Sequence, residues 1–321
     1  MKDGTKLIMA TKPYAKEQRG KSWMLTLSTL VIVGILHAAI FLTDFIIIQL
    51  VFSILAGLSL IRMFVIYHDY MHRSILQKSG IAEGLFILFG LYILIPKSIW
   101  QRSHDHHHNH NSKLYGSSIG SYPIVTKKKF DSLSTTQKRL YLFVRHPLSI
   151  FFSYLFAFVL GTCIRSFIAS PKRHWDSIIA LIFHYGLATF LVLTVGWKMM
   201  FLGFLLPIFT AHLVGSYLFY AQHNFPGVTF EEKDGWTYIK AALNSSSYMK
   251  MNPLMAWFTA NIGYHHVHHV NAKIPFYRLP EAYRAIPELQ NAKETSLNPM
   301  EIFKCFQLKV WDTEKRVMSK V

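Results

Sequence analysis

Only two cysteines occur in the 321 residues of this chain, Cys163 and Cys305, far apart in sequence. That scarcity excludes a disulfide framework, a zinc knuckle and an iron–sulfur cluster. Acidic residues are also few, 17 against 34 Lys and Arg, which gives a formal charge of +17. In a soluble protein such a balance suggests nucleic acid. Here charged residues make up only 16% of the chain and hydrophobic ones 51%. The positive-inside rule accounts for the excess, because Lys and Arg collect in the cytoplasmic loops of membrane proteins. A basic face would also steer an acidic redox partner. No internal repeat and no low-complexity tract is visible. Lys2, Lys6, Lys12, Lys16, Arg19 and Lys21 precede the first apolar run. That run is too long for the core of a signal peptide, and a second follows at once.

Long apolar blocks are what the chain has in abundance. Six stand out: 24–43, 45–67, 81–96, 148–169, 176–195 and 199–220. A bilayer core needs about 20 apolar residues per helical crossing. The pattern predicts an all-α polytopic membrane protein with four transmembrane helices, interfacial helices and a cytosolic histidine-rich region. The block 81–96 is short, carries Glu83 and two glycines, and ends at Pro96-Lys97. We read it as interfacial or re-entrant. The loop after 148–169 carries Arg165, Lys172 and Arg173. We read that block as non-crossing too. The spans are then 24–43, 45–67, 176–195 and 199–220, with both termini cytosolic. This gives a single domain over 1–321, with a cytosolic N-terminus at 1–23. The membrane region is 24–220, including a cytosolic segment 68–147, and 221–321 is a cytosolic C-terminal region. Within 111–147, a loop at Tyr115-Gly116-Ser117-Ser118 leads through Lys127-Lys128-Lys129 into a surface helix. The tail from Asn271 is read as proline-rich, then helix-like to Val321.

Eleven of the seventeen histidines fall in three clusters beside apolar runs. His68 and His72 form HxxxH. His104, His107 and His108 form HxxHH, and so do His265, His268 and His269. Spacings of three and four put imidazoles on one helix face, where they can point at one metal. Eight imidazoles exceed the four ligands of a mononuclear zinc site and suit two metals. Nitrogen-rich sites favour iron, zinc, copper or nickel. A two-iron centre facing a membrane can activate dioxygen and attack an unactivated C–H bond. No Glu-x-x-His pair of the kind used by soluble di-iron bundles is present, so the ligands must be histidines. His106, His110 and His266 fall off the pattern and are assigned to outer contacts. Asp69 and Asp105 are candidates to accept the second N–H of a ligand imidazole. His37, His174 and His184 are read as structural.

The order HxxxH, HxxHH, HxxHH resembles the membrane fatty acid desaturase superfamily. The stretch from Asn261 to Pro280, with Arg145-His146-Pro147 and the run from Gln222 to Gly227, is similar to bacterial and plant acyl-lipid desaturases of the Δ12-like group. The resemblance covers about residues 20–285. It implies two non-heme irons held by the box histidines, O2 as oxidant, and two electrons from a separate carrier of ferredoxin or cytochrome b5 type. It implies a fatty acyl lipid or acyl thioester substrate. An additional histidine upstream of the third box completes the site in related acyl-CoA desaturases, and His223 stands at the matching place. Tyr70 and Met71 replace the two small residues that many relatives carry in the first box. Phe219 stands where relatives with a water-bridging Asn have it. The heme-binding His-Pro-Gly-Gly of cytochrome b5 is absent.

These features predict an O2-dependent desaturase that introduces a cis double bond into a lipid acyl chain. The expected metal ligands are His68, His72, His104, His107, His108, His223, His265, His268 and His269. A hydroxylase or ketolase acting on a lipid, alkane or carotenoid would use the same boxes. A zinc-binding membrane receptor or transporter is the reading from a different class. Ionisable residues at span ends rather than mid-span argue against transport.

Overall fold

The computed structural model describes residues 2–116, 119–232 and 234–321. Ser117 and Ser118 of the expected Gly/Ser loop lie outside the described residues. The chain forms two compact units, each assembled from separate segments. One comprises residues 18–102 and 151–216, the other 1–17, 103–150 and 217–321.

The first unit holds the apolar helices. Arg19–Leu42 and Ile46–Met71 form a hairpin through a turn at residues 43–45. The last carbonyls of a helix lack intrahelical donors. Gln49 supplies one here, its amide donating to Ile40 O (3.1 Å) and Thr43 O (2.7 Å). The two helices differ in surroundings. In its most apolar stretch, Arg19–Leu42 is 17% buried and Ile46–Met71 61%. Leu27, Val31 and Ile35 point outward from the first, as lipid-facing residues do. The second packs closely on a later helix at Gly57, where a Cβ would stand 2.6 Å from Pro207 O and 2.6 Å from Thr210 Cβ. Small residues let helices approach this closely in membranes.

A continuous helical run extends from Trp175 to His223, 49 residues. Straight, it would measure roughly 74 Å, more than twice a hydrocarbon core. It is not straight. Gly196 leaves the helical region at φ 80°, ψ 168°. His184 and Phe204, 20 residues apart, stack with ring centroids 4.8 Å apart. In one straight helix they would be separated by roughly 30 Å. The chain therefore doubles back near Gly196, and the run is two arms. Just past the bend the helix is wound wide over Phe201–Leu205. Pro207, which offers no N–H to the turn before it, follows immediately. With the first hairpin this makes four long apolar helices among the described residues, at the four places the sequence predicted.

Gly80–Tyr92 is a 13-residue helix, too short to cross, and it bends by 91° into Lys97–His110. Its C-terminal carbonyls are met one by one from buried side chains. His184 Nδ1 lies 2.7 Å from Tyr92 O and His212 Nε2 2.9 Å from Ile93 O. The Cys163 thiol is 3.6 Å from Leu94 O, and Tyr67 donates to Ile95 O at 3.1 Å. Irregular backbone at membrane depth persists only where protein satisfies it in this way. This supports the structural reading of His184, and it gives His212 a role that its apolar sequence context concealed.

The second unit is built of short helices with four three-residue strands among the described residues. Tyr248–Lys250 pairs in parallel with Glu294–Ser296, and Val310–Asp312 pairs antiparallel with Val317–Ser319. The end of the chain is thus a correction: after the helix Pro299–Gln307 it forms a hairpin, not a helix. Asp312 Oδ1 accepts from the backbone N–H groups of Glu314 and Lys315, both at 3.0 Å, which closes the turn. Val310 then joins Phe130 and Tyr141 in a small core. The surface helix expected before residue 147 is present as Lys127–Asp131 and Thr135–Val144, the latter started by a Ser134/Gln137 capping box.

Candidate metal centre

The second histidine cluster rides on the helix Lys97–His110. Its first turn is anchored by Asp176, which accepts from Ser98 N (2.9 Å) and Ser98 Oγ (2.5 Å). His174 Nδ1 completes the anchor, 2.8 Å from Ser98 Oγ. A carboxylate at a helix N-terminus satisfies orphan N–H groups and complements the helix dipole. Further along, the five histidines split by face. His104, His107 and His108 are buried, whereas His106 and His110 are half-buried and stack on each other at 3.9 Å. His106 Nε2 lies 2.9 Å from Gly116 O, so that nitrogen is engaged with backbone. Gly120 brings the following loop onto this helix at φ 69°. A Cβ there would lie 2.1 Å from Ser103 O, so only glycine fits.

The third cluster is a six-residue helix, His265–Val270, with every residue buried. Gly263 sets it against the strand Tyr248–Lys250, where a Cβ would meet Met249 O at 2.4 Å. His266 points away from its neighbours and donates through Nε2 to Leu289 O at 2.9 Å. His223 ends the last long helix, and its Nδ1 lies 2.9 Å from Ser245 O.

Within this unit the imidazoles gather into two adjacent sets. Nε2 of His223 stands 2.8 Å from Nε2 of His265 and 3.1 Å from Nε2 of His107. Nε2 of His269 is 3.2 Å from that of His265. All four ligand atoms lie within 4.8 Å of one another. In the other set, His108 Nε2 is 3.1 Å from both His104 Nε2 and His268 Nε2. The sets touch where His108 and His269 stack at 4.3 Å.

The quartet fits a cation on tautomer grounds. A carbonyl only accepts, so His223 carries its proton on Nδ1 and presents a bare lone pair at Nε2. Two nitrogens face that lone pair. A neutral scheme would need the single N–H of His265 to serve His223 and His269 at once. Protonating the rings is no remedy. Burial, then repulsion from His108, His265, His223 and His107, holds His269 well below the usual imidazole range. One cation at the centre would satisfy every lone pair.

His68 and His72 belong to the other unit, at the end of Ile46–Met71. They form their own pair, one turn apart, with ring centroids 4.6 Å apart at 76°. Asp69, buried, accepts from His68 Nδ1 at 3.1 Å, the role expected of it. Asp105, by contrast, is exposed. Trp100 packs edge-on against His68 at 5.7 Å. Ser98, Asp176 and Trp100 support the boxes without any sequence signal that marked them.

The off-pattern histidines now separate by expected effect. His106→Ala should leave turnover measurable and stability nearly unchanged, because its ring is half-exposed. His266→Ala should leave turnover measurable yet lower stability by about 2–3 kcal/mol, through a cavity and an orphaned Leu289 carbonyl. Thermal melts with activity assays of the two variants check this. A dead His106→Ala would show that the ligand register of the second box is wrong.

A helical membrane protein with buried histidine clusters compatible with a metal site is the class that fold and site define. Comparison with known proteins places it further. The family model "Fatty acid desaturase" matches residues 44–299. A Bacillus subtilis fatty acid desaturase is 31% identical over 272 residues, 83% of this chain and 76% of that protein. An sn-1 oleoyl-lipid 12-desaturase of Anabaena variabilis is 25% identical over 277 residues, covering 85% and 78%. An sn-1 acyl-lipid omega-3 desaturase (ferredoxin) of a Nostoc species is 26% identical over 268 residues, covering 80% and 72%. The chain belongs to the fatty acid desaturase family, and with it to the membrane oxidoreductases of lipid metabolism.

Proposed function

We propose that this protein is an O2-dependent desaturase that introduces a cis double bond into a lipid-borne acyl chain at a histidine-held di-iron centre. The observation that carries this reading is the four-imidazole convergence of His107, His223, His265 and His269. In the reading, His104, His108 and His268 hold the second iron, and His68 and His72 complete the ligand set. Two irons, when bound, would supply activation of O2 and removal of one hydrogen from each of two adjacent methylenes. The balance is one –CH2–CH2– unit, O2, two electrons and two protons giving –CH=CH– and two waters.

The protein's own groups set the conditions. Ser245 O and the Asp69 carboxylate fix the protons of His223 and His68 on Nδ1, which makes Nε2 the ligand atom of each ring. Burial of the second- and third-box ligands excludes bulk water. Phe219, 5.0 Å from His107, adds an apolar wall beside the imidazoles. The electrons come from a separate one-electron carrier of ferredoxin or cytochrome b5 type. In this reading both termini and the boxes face the cytosol, which agrees with the Lys and Arg bias of residues 1–23 and 68–147.

Expression in a host with a simple lipid profile, followed by fatty acid analysis with double-bond location, tests the reaction. New monounsaturated or diunsaturated chains are expected. Hydroxylated chains in their place would move the protein to the oxygen-inserting branch. Accessibility labelling of a tag at Val321 and of the Thr43-Asp44 turn tests the topology. The tag should be cytosolic and the turn external. An external C-terminus would sink the orientation.

A further inference from the structure

We propose that a small acidic one-electron carrier protein docks on the basic face formed by Lys127, Lys128, Lys129, Lys315 and Arg316. This rests on the desaturase reading and assigns its electron donor a place. The helix Lys127–Asp131 and the C-terminal hairpin lie side by side. Trp311 N donates to Val125 O at 3.0 Å, and Thr126 bridges Trp311. Lys127 and Lys315 both act on the Asp312 carboxylate, which backbone N–H groups and these cations hold below its usual range. All five cations are exposed. Asp131 and Glu314 are the exposed carboxylates among them, and Glu231 pairs with Arg316 at 2.6 Å. With Asp312 these make four carboxylates against five cations, so the positive charge of the face is concentrated on its Lys127–Lys129 edge.

Two observations favour a protein over a lipid surface. An interfacial helix needs an apolar face to sink into the bilayer. Here Phe130, Val310 and Trp311 are buried, and the exposed large hydrophobic side chain on the helix and hairpin is Val317, too little apolar surface for insertion. The next helix does expose Leu140 and Phe143, and it is the better lipid contact. The face also leads inward to the metal position. Ser121, Tyr122 and Ile124, just ahead of the three lysines, rim a small cavity that Arg145 and His223 also line. Behind the lysines Phe130 meets Tyr141 at 5.7 Å, and the Arg145 guanidinium lies 5.9 Å from the Tyr141 ring and 5.2 Å from Tyr220. Arg145 then donates to Asn224 Oδ1 at 2.7 Å, and Asn224 adjoins His223 in sequence. A carrier on this face would be joined to His223 by continuous contact. Each docking oxidises one carrier by one electron, so two dockings supply the two electrons of one turnover.

The test uses purified iron-loaded protein in nanodiscs and a plant-type [2Fe–2S] ferredoxin as probe. Replacing Lys127, Lys128 and Lys129 together by Glu should weaken ferredoxin binding at least about tenfold and remove most of its salt dependence. Turnover driven by reduced methyl viologen, which needs no docking face, should stay at the wild-type rate. The milder Lys128→Gln and Lys315→Glu should each weaken binding about threefold, and they stand in if the triple variant does not fold. Unchanged ferredoxin affinity in these variants overturns the proposal. So does a variant that keeps its affinity but loses response to phosphatidylglycerol in the nanodisc, which would make the face a lipid contact. Affinity reads the docking whether or not a double bond is made. Viologen-driven turnover reads the chemistry alone, so the two failures are distinct.

Discussion

Replacing His265 by alanine is expected to abolish turnover, with a loss of at least about 100-fold, and to lower bound iron from two per chain to one or fewer. His265 is the hinge of the quartet, with its Nε2 2.8 Å from His223 and 3.2 Å from His269. Even changes to groups behind a ligand cost about 10–100-fold in metal affinity or activity, so loss of the ligand itself should cost more. His223→Ala should behave alike, since its lone pair is aimed by Ser245 O. His68→Ala reads a separate point, namely whether the first box shares the centre. Metal analysis alongside turnover decides all three. If His265→Ala keeps two irons and near-normal turnover, the convergence of imidazoles is structural and the proposed chemistry loses its base.

Much of this site was legible because helical spacing carries geometry. In the second box, positions 104, 107 and 108 share a face, and positions 106 and 110 share another. The exposure of Asp105 follows from the same rule, since a residue next to His104 is turned about 100° from it. The four long helices were legible from block length, and the structure adds Gly196 as the place of the last bend. Less legible were contacts that exist only in three dimensions. Nothing local marks His212 as the partner of Ile93 O, because an apolar helix shows one polar residue and not its target. Asp176 lies 78 residues from the helix it caps. The C-terminal hairpin escaped because three-residue strands give no period to read, and mixed charges there resemble a surface helix.

The largest effect on stability is expected at Arg145. Its side chain is fully buried, and its guanidinium donates to Pro123 O (3.0 Å), Asn224 Oδ1 (2.7 Å) and Leu308 O (3.1 Å). Those acceptors come from three separate stretches of chain: the loop before Lys127, the segment after His223, and the strand entry before the C-terminal hairpin. Arg145→Met keeps most of the volume and removes every donor. It leaves Asn224 Oδ1 and the half-buried Pro123 O without their donor, each costing about 1–3 kcal/mol, while Leu308 O keeps Asn224 Nδ2, so a total on the order of 3 kcal/mol is expected. For a unit of this size that corresponds to a drop of about 5–10 °C in the unfolding midpoint. Arg145→Lys should recover less than half, because one ammonium cannot reach acceptors that the planar fork spans. The midpoint is followed by Trp fluorescence of the solubilised protein, with iron content measured in parallel. Iron should fall as well, since Asn224 adjoins His223 and loses one of the three partners that fix it, keeping Cys305 O and Leu308 O. A variant that melts with the wild type and keeps its iron would show that the three stretches are held by apolar packing, and that the buried guanidinium is dispensable to the fold.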